Sequence, residues 1–287
     1  MPRSTLWPDP RVKPPFRSVE IDRGRPIGAS IRVVWLMNEG AGVGVYSLGL
    51  RHMLATRLVI NSGWSVTPFG PGMVFSSAND DLTLEGIDNP FYTMTAPFSL
   101  EVLCMLPATV VGYGGLLSCV PASGANGAHF SDSGGSTSAF RPTLVLLAGG
   151  TESALWYGTS TITPPFAGHL LATYDGTTGY VYVNGVDQGA TTHGALGYGG
   201  GLQNRIGRNF YARQNATVVK TAIYNRALSS GEALELAAKP YAGLRPILRR
   251  RYFVPAVGPG TKISDAAAVA MAESGKGVSL LVSEGRR

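Results

Sequence analysis

The chain has 287 residues, of which 44% are apolar and only 15% charged, so it can bury a sizeable core, while its apolar runs stop far short of the ~20 residues a membrane span needs. Its net charge of +6 is unevenly spread: residues 1–28 carry six basic and three acidic side chains, residues 239–262 six basic and none acidic, and residues 29–238 nine against twelve. Positive charge on the flanks of a mildly negative body argues against a nucleic-acid-binding surface, which would carry it on the folded domain.

Residues 1–28 contain Pro2, Pro8, Pro10, Pro14, Pro15 and Pro26, interleaved with arginine and a few large apolar groups. Proline fixes φ and removes donors, so this stretch is expected to be an extended basic arm, with Trp7, Phe16 and Arg17 as its contacts to a partner. The start, Met1-Pro2-Arg3-Ser4-Thr5, has no apolar h-region, so a secretory leader is not expected.

From Ile31 onward short β-type runs alternate with turn clusters. Strands are expected at Ile31–Met37, Gly72–Ser76, Asp81–Leu84, Phe98–Leu106, Leu116–Val120, Thr143–Leu147, Ala154–Tyr157, His169–Tyr174, Tyr180–Val183, Val186–Gln188, Asn204–Ile206 and Val218–Tyr224. Many short strands without helical periodicity between them indicate an all-β antiparallel sandwich over residues 29–238. The sharpest signal is the meander from His169 to Val186, where Asp175-Gly176 and Asn184-Gly185 supply the φ > 0 residues of tight turns. Within it Tyr180 and Tyr182 alternate with Val181 and Val183, so one face takes aromatics and the other β-branched groups.

Cys104 and Cys119 make no disulfide framework for a chain this long; two buried thiols are expected, with a single bridge as the alternative. One helix is expected near the C-terminal side, where Ser229 and Glu232 form a capping box and Pro240 ends the run. Residues 239–287 then form a second basic arm with small helix or strand elements. Its centre, Arg245-Pro246-Ile247-Leu248-Arg249-Arg250-Arg251-Tyr252-Phe253, reads as a docking strap in which arginines meet acidic patches and the two aromatics anchor.

Several stretches resemble the laminin-G-like, concanavalin-type jelly-roll superfamily over roughly residues 31–238. They are Trp35-Leu36-Met37-Asn38-Glu39-Gly40, Phe69-Gly70-Pro71-Gly72-Met73-Val74-Phe75 with Asn79-Asp80-Asp81, the meander, Arg205-Ile206-Gly207-Arg208, and Ile223-Tyr224-Asn225-Arg226-Ala227-Leu228-Ser229. The resemblance implies a concanavalin-like sandwich; its members include carbohydrate binders, calcium-dependent modules, glycosidases and structural domains. The sequence departs from the pattern at Ala216–Ala222, where the family's usual acidic residues are missing, which argues against calcium. The helix running into Arg-Pro-Ile-Leu-Arg-Arg-Arg-Tyr-Phe-Val-Pro is similar to structural proteins of tailed bacteriophages. That second resemblance implies a virion protein, made in the host cytoplasm, that decorates a capsid, binds the major capsid protein or other virion subunits, and forms homo-oligomers.

Little catalytic chemistry is legible. Glu101 has no acidic i+2 neighbour, so the paired carboxylates of a glycosidase are missing from its strand. Ser131-Asp132-Ser133-Gly134-Gly135, with His52 and Asp88 earlier in the chain, has the order of a serine-protease set, yet it lies in a Gly/Ser stretch (residues 122–139) better read as a solvated loop. Asp80 and Asp81 supply two oxygens where Ca²⁺ wants six to eight, so they are weak metal candidates. For the other reading, a carbohydrate-binding (receptor-binding) module of a phage tail or surface appendage, the candidate platforms are Trp64, Trp156, Tyr157 and Tyr198. No enzyme activity, cofactor, membrane or nucleic-acid partner is expected.

Overall fold

A computed structural model of the chain describes residues 11–15, 19–39, 44–49, 54–57, 63–76, 82–84, 97–120, 126–148, 151–192, 203–208 and 212–247. The chain divides into two compact units, Met1–Ile247 and Leu248–Arg287, and every described residue lies in the first.

The elements begin with β1 (Val19–Ile21), α1 (Pro26–Ser30), β2 (Ile31–Trp35), β3 (Gly44–Gly49), β4 (Leu54–Arg57), β5 (Trp64–Thr67), β6 (Gly70–Phe75) and β7 (Leu82–Leu84). Next come β8 (Phe98–Leu106), β9 (Gly114–Val120), β10 (Asn126–Asp132), β11 (Pro142–Ala148), β12 (Thr151–Tyr157), β13 (Phe166–Tyr174), β14 (Thr178–Val183) and β15 (Val186–Thr192). The last are β16 (Gln203–Ile206), β17 (Ala212–Arg213), β18 (Ala216–Tyr224), α2 (Ser230–Ala238) and β19 (Leu244–Pro246).

Two antiparallel sheets stack face to face. The first runs β15–β14–β13–β8–β18, and the far edge of β18 then pairs with β6 over Ala216–Val218 and with β2 over Thr221–Tyr224. The second runs β12–β11–β10–β9–β16–β7–β4. Strand β3 joins them, because Ser47–Gly49 pair with β2 while Gly44–Tyr46 pair with β4. All twelve expected strands are present, Phe98–Leu106 with the same bounds and the others with at least one end shifted, and the architecture is the antiparallel sandwich that their spacing indicates.

Strand β8 shows why. Phe98, Leu100, Val102, Cys104 and Leu106 point into the core between the sheets, where they meet Phe130, Leu144 and Ile206 of the second sheet. The alternate residues are buried as well, because the outer face of the first sheet is covered; a strand buried on both sides reads as a near-continuous apolar run. In the meander, Tyr180 and Tyr182 stack on that outer face with ring centroids 6.4 Å apart, while Val181 and Val183 face the core. The turns carry the expected geometry: Gly176, Asn184 and Gly185 have positive φ, and Asp175 Oδ1 accepts from the N–H groups of Thr177 and Thr178 at 2.7 Å. Both cysteines are buried and free, and burial pushes the Cys104 thiol up to about 12.

The cover is a third layer built from the chain's own terminal segments. Strand β1 pairs antiparallel with β19, Val19 opposite Pro246 and Ile21 opposite Leu244. The buried side chains Val19, Ile21, Ile27, Leu236, Tyr241 and Leu244 pack down on Val34, Leu103, Leu171 and Tyr224 of the sheet. Gly28 permits the close approach: a Cβ there would stand 2.0 Å from the Asp22 carbonyl oxygen and 2.9 Å from that of Gly243. Beside this, α2 packs with Ser229 as N-cap and a complete capping box to Glu232. Glu232 also accepts from Arg226 at 2.7 Å, and that bond holds its carboxyl down at about 2.

Two expectations need revision. From Val19 the N-terminal stretch is not an extended arm but a strand and a short helix on the chain's own body, and residues 239–247 join it there. The V-E-I and L-R-P segments each present apolar side chains to one side, and the open sheet face below them supplies the partner. The Gly/Ser stretch is not a solvated loop either, since β10 runs through it as an inner strand between β9 and β11. Ala128 and Phe130 alternate toward the core there, with His129 and Ser131 on the other face, a period-2 pattern that the surrounding glycines and serines masked. Among the described residues no helix is long and apolar enough to cross a membrane.

Candidate functional site

Of the residues singled out from the sequence, Trp7, Phe16, Arg17, His52, Asp80, Asp81, Asp88, Tyr198, Arg249, Arg250, Arg251, Tyr252 and Phe253 lie outside the described residues. Arg245 is described, and it pairs within its own chain: its Nε is 2.8 Å from Glu20 and its Nη1 is 3.7 Å from Asp22. Trp64 is half-buried and packs on the core between the sheets. In β12, Trp156 is in register with the core residue Leu144, and Tyr157 with Thr143.

One charge cluster is sealed. Glu101 on β8, His169 on β13 and Lys220 on β18 are each at most 1% exposed. The register places His169 and Lys220 on either side of Leu103, so both reach diagonally to the carboxylate two residues away on the same face. Glu101 Oε1 accepts from Lys220 Nζ at 2.7 Å and lies 3.0 Å from His169 Nε2, while Tyr224 Oη donates to Oε2. Lys220 also donates to the Pro240 carbonyl, so the C-terminal cover closes directly over the ion pair. Burial pushes the Glu101 carboxyl up, but Lys220 and His169 outweigh it and hold it down at about 2. A carboxylate so locked, with no path to solvent, acts as a structural ion pair. Sequence reading saw Glu101 as solitary because its partners stand 68 and 119 positions away, on neighbouring strands.

The accessible chemistry lies at one rim of the sandwich, where the loop before β9 (residues 107–113) meets the loop after β10 (residues 133–141). Tyr113 is 58% exposed, the one aromatic side chain more than half exposed among those whose burial the structure describes, a set that does not include Trp156 and Tyr157. Its backbone sits at φ +63°, a conformation that costs a non-glycine residue about 1–2 kcal/mol. Its ring lies against Gly135, itself at φ +60°: a Cβ on Gly135 would meet Tyr113 Oη at 2.9 Å and two ring carbons at 3.1 Å.

Three buried groups hold this arrangement. Val110 N–H donates to the Thr137 carbonyl at 3.0 Å, tying the loops together. The buried Gln214 clamps Val111, accepting from its N–H at 2.7 Å and donating to its carbonyl at 3.2 Å. Asp132, at the end of β10, accepts from the N–H groups of Gly134 at 2.8 Å and Arg141 at 2.7 Å. Burial pushes its carboxyl up, and backbone bonds from Arg141, Gly134 and Tyr113 oppose that rise. In the same loop as Gly135, Thr137, Ser138 and Arg141 are exposed, and the Ser136 and Ser138 hydroxyls lie 3.2 Å apart. The protease-like reading of Ser131-Asp132-Ser133 thus gives way to a loop-organising one, in which Ser133 Oγ accepts from Thr143 at 2.7 Å. Tyr113 escaped sequence reading; its signal was an aromatic set between glycines, Gly112-Tyr113-Gly114-Gly115. Among the described residues no group of three or more His, Cys, Asp or Glu could hold a metal ion.

No curated protein matches the chain in sequence. Among solved structures, the fourth domain of an extracellular arabinanase from Geobacillus stearothermophilus, in complex with arabinotriose, is 15% identical with a TM-score of 0.53 over 72% of this chain and 99% of that one. The binding domain of botulinum neurotoxin DC is 9% identical with a TM-score of 0.53 over 73% of this chain and 51% of that one. Trypanosoma rangeli sialidase in complex with sialic acid is 17% identical with a TM-score of 0.52 over 76% and 36%. The chain therefore spans nearly all of the arabinanase domain, about half of the toxin chain and about a third of the sialidase. At these identities the likeness is one of fold. A family model described as the concanavalin A-like lectin/glucanases superfamily matches residues 78–233, from before β7 into α2. With that match over more than half of the chain and a two-sheet antiparallel sandwich beneath it, this protein belongs to the concanavalin A-like lectin/glucanase superfamily.

Proposed function

We propose that the chain is a non-catalytic, lectin-like module that recognises glycans at the Tyr113 rim. The observation that carries this reading is an exposed aromatic ring held against Gly135 on a left-handed backbone, where the loop that packs on it also carries the exposed Thr137, Ser138 and Arg141. A saccharide offers an apolar ring face to stack on such a platform and hydroxyls to bond the polar groups of that loop. Backbone strain kept in place by Asp132, Gln214 and Gly135 suits a preformed site. The sealing of Glu101 supports the non-catalytic part, since a hydrolase needs its carboxylates in an open groove. Complexes of fold relatives with arabinotriose and with sialic acid are consistent with it. The test is a glycan array with the full chain, followed by titration of the best hit against Tyr113→Ala. A loss of about tenfold or more in affinity, roughly 1.4 kcal/mol, is expected. An array without hits, or equal binding by the variant, would sink the reading.

A second reading places this module in a virion, as a capsid-decorating subunit of a tailed phage. The observation favouring it is that the uncompensated basic stretch Arg249-Arg250-Arg251 begins just past the compact first unit, which ends at Ile247. Since residues 19–30 and 239–247 serve their own body, docking on a major capsid protein falls to residues 248–287. Removal of those residues should leave a folded protein that no longer joins particles. Normal incorporation of the truncated chain would overturn this reading.

A further inference from the structure

Strand β18 is paired along its far edge by two different strands in succession. Strand β6 leaves after Val218, opposite Met73, and β2 begins at Thr221, opposite Trp35. Between them the ladder is forked. Val219 falls in that gap, at the register shift that β18 makes against β8 between Val218 and Lys220. Its carbonyl, the carbonyl of Met37 just past β2 and the carbonyl of Pro71 on β6 converge on one point. Two of these carbonyls, Met37 O and Val219 O, lie in part-buried surroundings, and a backbone carbonyl cut off from water must find a donor or costs about 1–3 kcal/mol.

Lys13 fills that point. Its Nζ donates to Met37 O at 2.8 Å, to Val219 O at 3.1 Å and to Pro71 O. Three ammonium hydrogens thus meet three carbonyl oxygens, a one-to-one match of donors to acceptors. The aliphatic stem lies over Gly70, where a Cβ would come within 2.8 Å of Lys13 Cδ. The next residue, Pro14, is buried, and its carbonyl accepts from Asn38 Nδ2 at 3.2 Å. Burial pushes the Lys13 amine down to about 7 while Glu39 pulls the other way, so at pH 6 the charged form prevails.

We propose that the fork between β2 and β6 is a cation socket for one primary ammonium group, filled in cis by Lys13, and that this contact fastens residues 11–15 to the sheet. A ring of backbone carbonyls replaces the hydration shell of a small cation, and only a cation with several N–H donors satisfies all three oxygens directionally. With its own side chain removed, the socket takes a small free alkylammonium ion in its place.

The experiment is chemical rescue at pH 6. Lys13→Ala should melt several degrees below the parent chain. Methylammonium chloride should raise the variant's Tm by about 2–4 °C, saturably, and leave the parent unchanged. Tetramethylammonium, equal in charge but without an N–H donor, should do neither. If the two ions act alike, or if Lys13→Ala is as stable as the parent, the socket does not exist. Should the variant fail to fold, trace acylation of the intact parent decides. Compared at equal fractions of neutral amine, Lys13 should react at least about tenfold more slowly than the exposed Lys239, because access requires local opening. Equal rates would overturn the proposal.

Discussion

The terminal segments and the rim loops share a composition rich in proline, glycine and small polar residues, yet they meet water in opposite ways. In the terminal cover Val19, Ile21, Ile27, Tyr241 and Leu244 are all at most 9% exposed, whereas at the rim Tyr113 is 58% exposed. The difference lies beneath each. The cover rests on a sheet face that is largely apolar, with the Glu101 cluster and Ser99 satisfied by hydrogen bonds, so its own apolar groups gain by turning inward. The rim rests on polar anchors, Asp132 and Gln214, which satisfy loop backbone and leave the aromatic ring outside. Irregular sequence is therefore no measure of exposure; what it can cover decides.

The largest expected effect breaks the first half of that contrast. Deleting residues 1–28 strips Val19, Ile21 and Ile27 from the buried layer, at about 1.5–3 kcal/mol each, against a total stability of about 5–15 kcal/mol for a typical domain. Calorimetry should show the cooperative transition lost or greatly lowered, while deletion of residues 248–287 leaves it in place. Residues 29–238 are thus not expected to stand alone as the sandwich that the spacing of their strands suggests. A truncated chain that melts like the parent would show the cover to be dispensable.

Next comes the sealed ion pair. Lys220→Ala leaves Glu101 charged and buried without its main partner and should cost about 3–5 kcal/mol in a denaturant titration. The paired replacement Glu101→Leu with Lys220→Met should cost less than either half alone. Should the double change prove the worse, the cluster contributes more than neutralised charge.

Acid acts on the same side of the molecule. Glu101 and Glu232 are both held near 2, below an ordinary value of about 4.5. A carboxyl whose pKa is lower in the folded chain adds stability above its unfolded value, and that stability drains away as pH falls through the folded one. Unfolding free energy should therefore fall between about pH 4.5 and pH 2, and a flat profile across that window would contradict both ion pairs. The smallest effect belongs to the rim: Gly135→Ala should cost only about 1–2 kcal/mol of stability, yet dislodge the Tyr113 ring and weaken glycan binding disproportionately. Loss of stability with unchanged binding would separate the ring from the site.

Much of the body was legible because its signals are local. Asp175-Gly176 and Asn184-Gly185 fix turns through φ > 0 and side-chain bonds two residues on, and the capping box from Ser229 to Glu232 starts α2 within one turn. Alternation over four to eight residues located the expected strands. The site was less legible. Trp64 carries the right residue type for a sugar platform but packs on the core, and only the fold shows Tyr113 outside.

The sequence alone determined where twelve of the strands and the meander's turns form, and that the chain makes an antiparallel sandwich. Those outcomes depend on side-chain alternation and backbone chemistry within a few residues. Tertiary structure decided which face is sealed, that Glu101 is neutralised by Lys220 from 119 positions away, and that Lys13 fills a forked ladder. Each of these is a question of which distant group satisfies a buried charge or carbonyl, and sequence spacing carries no record of that distance.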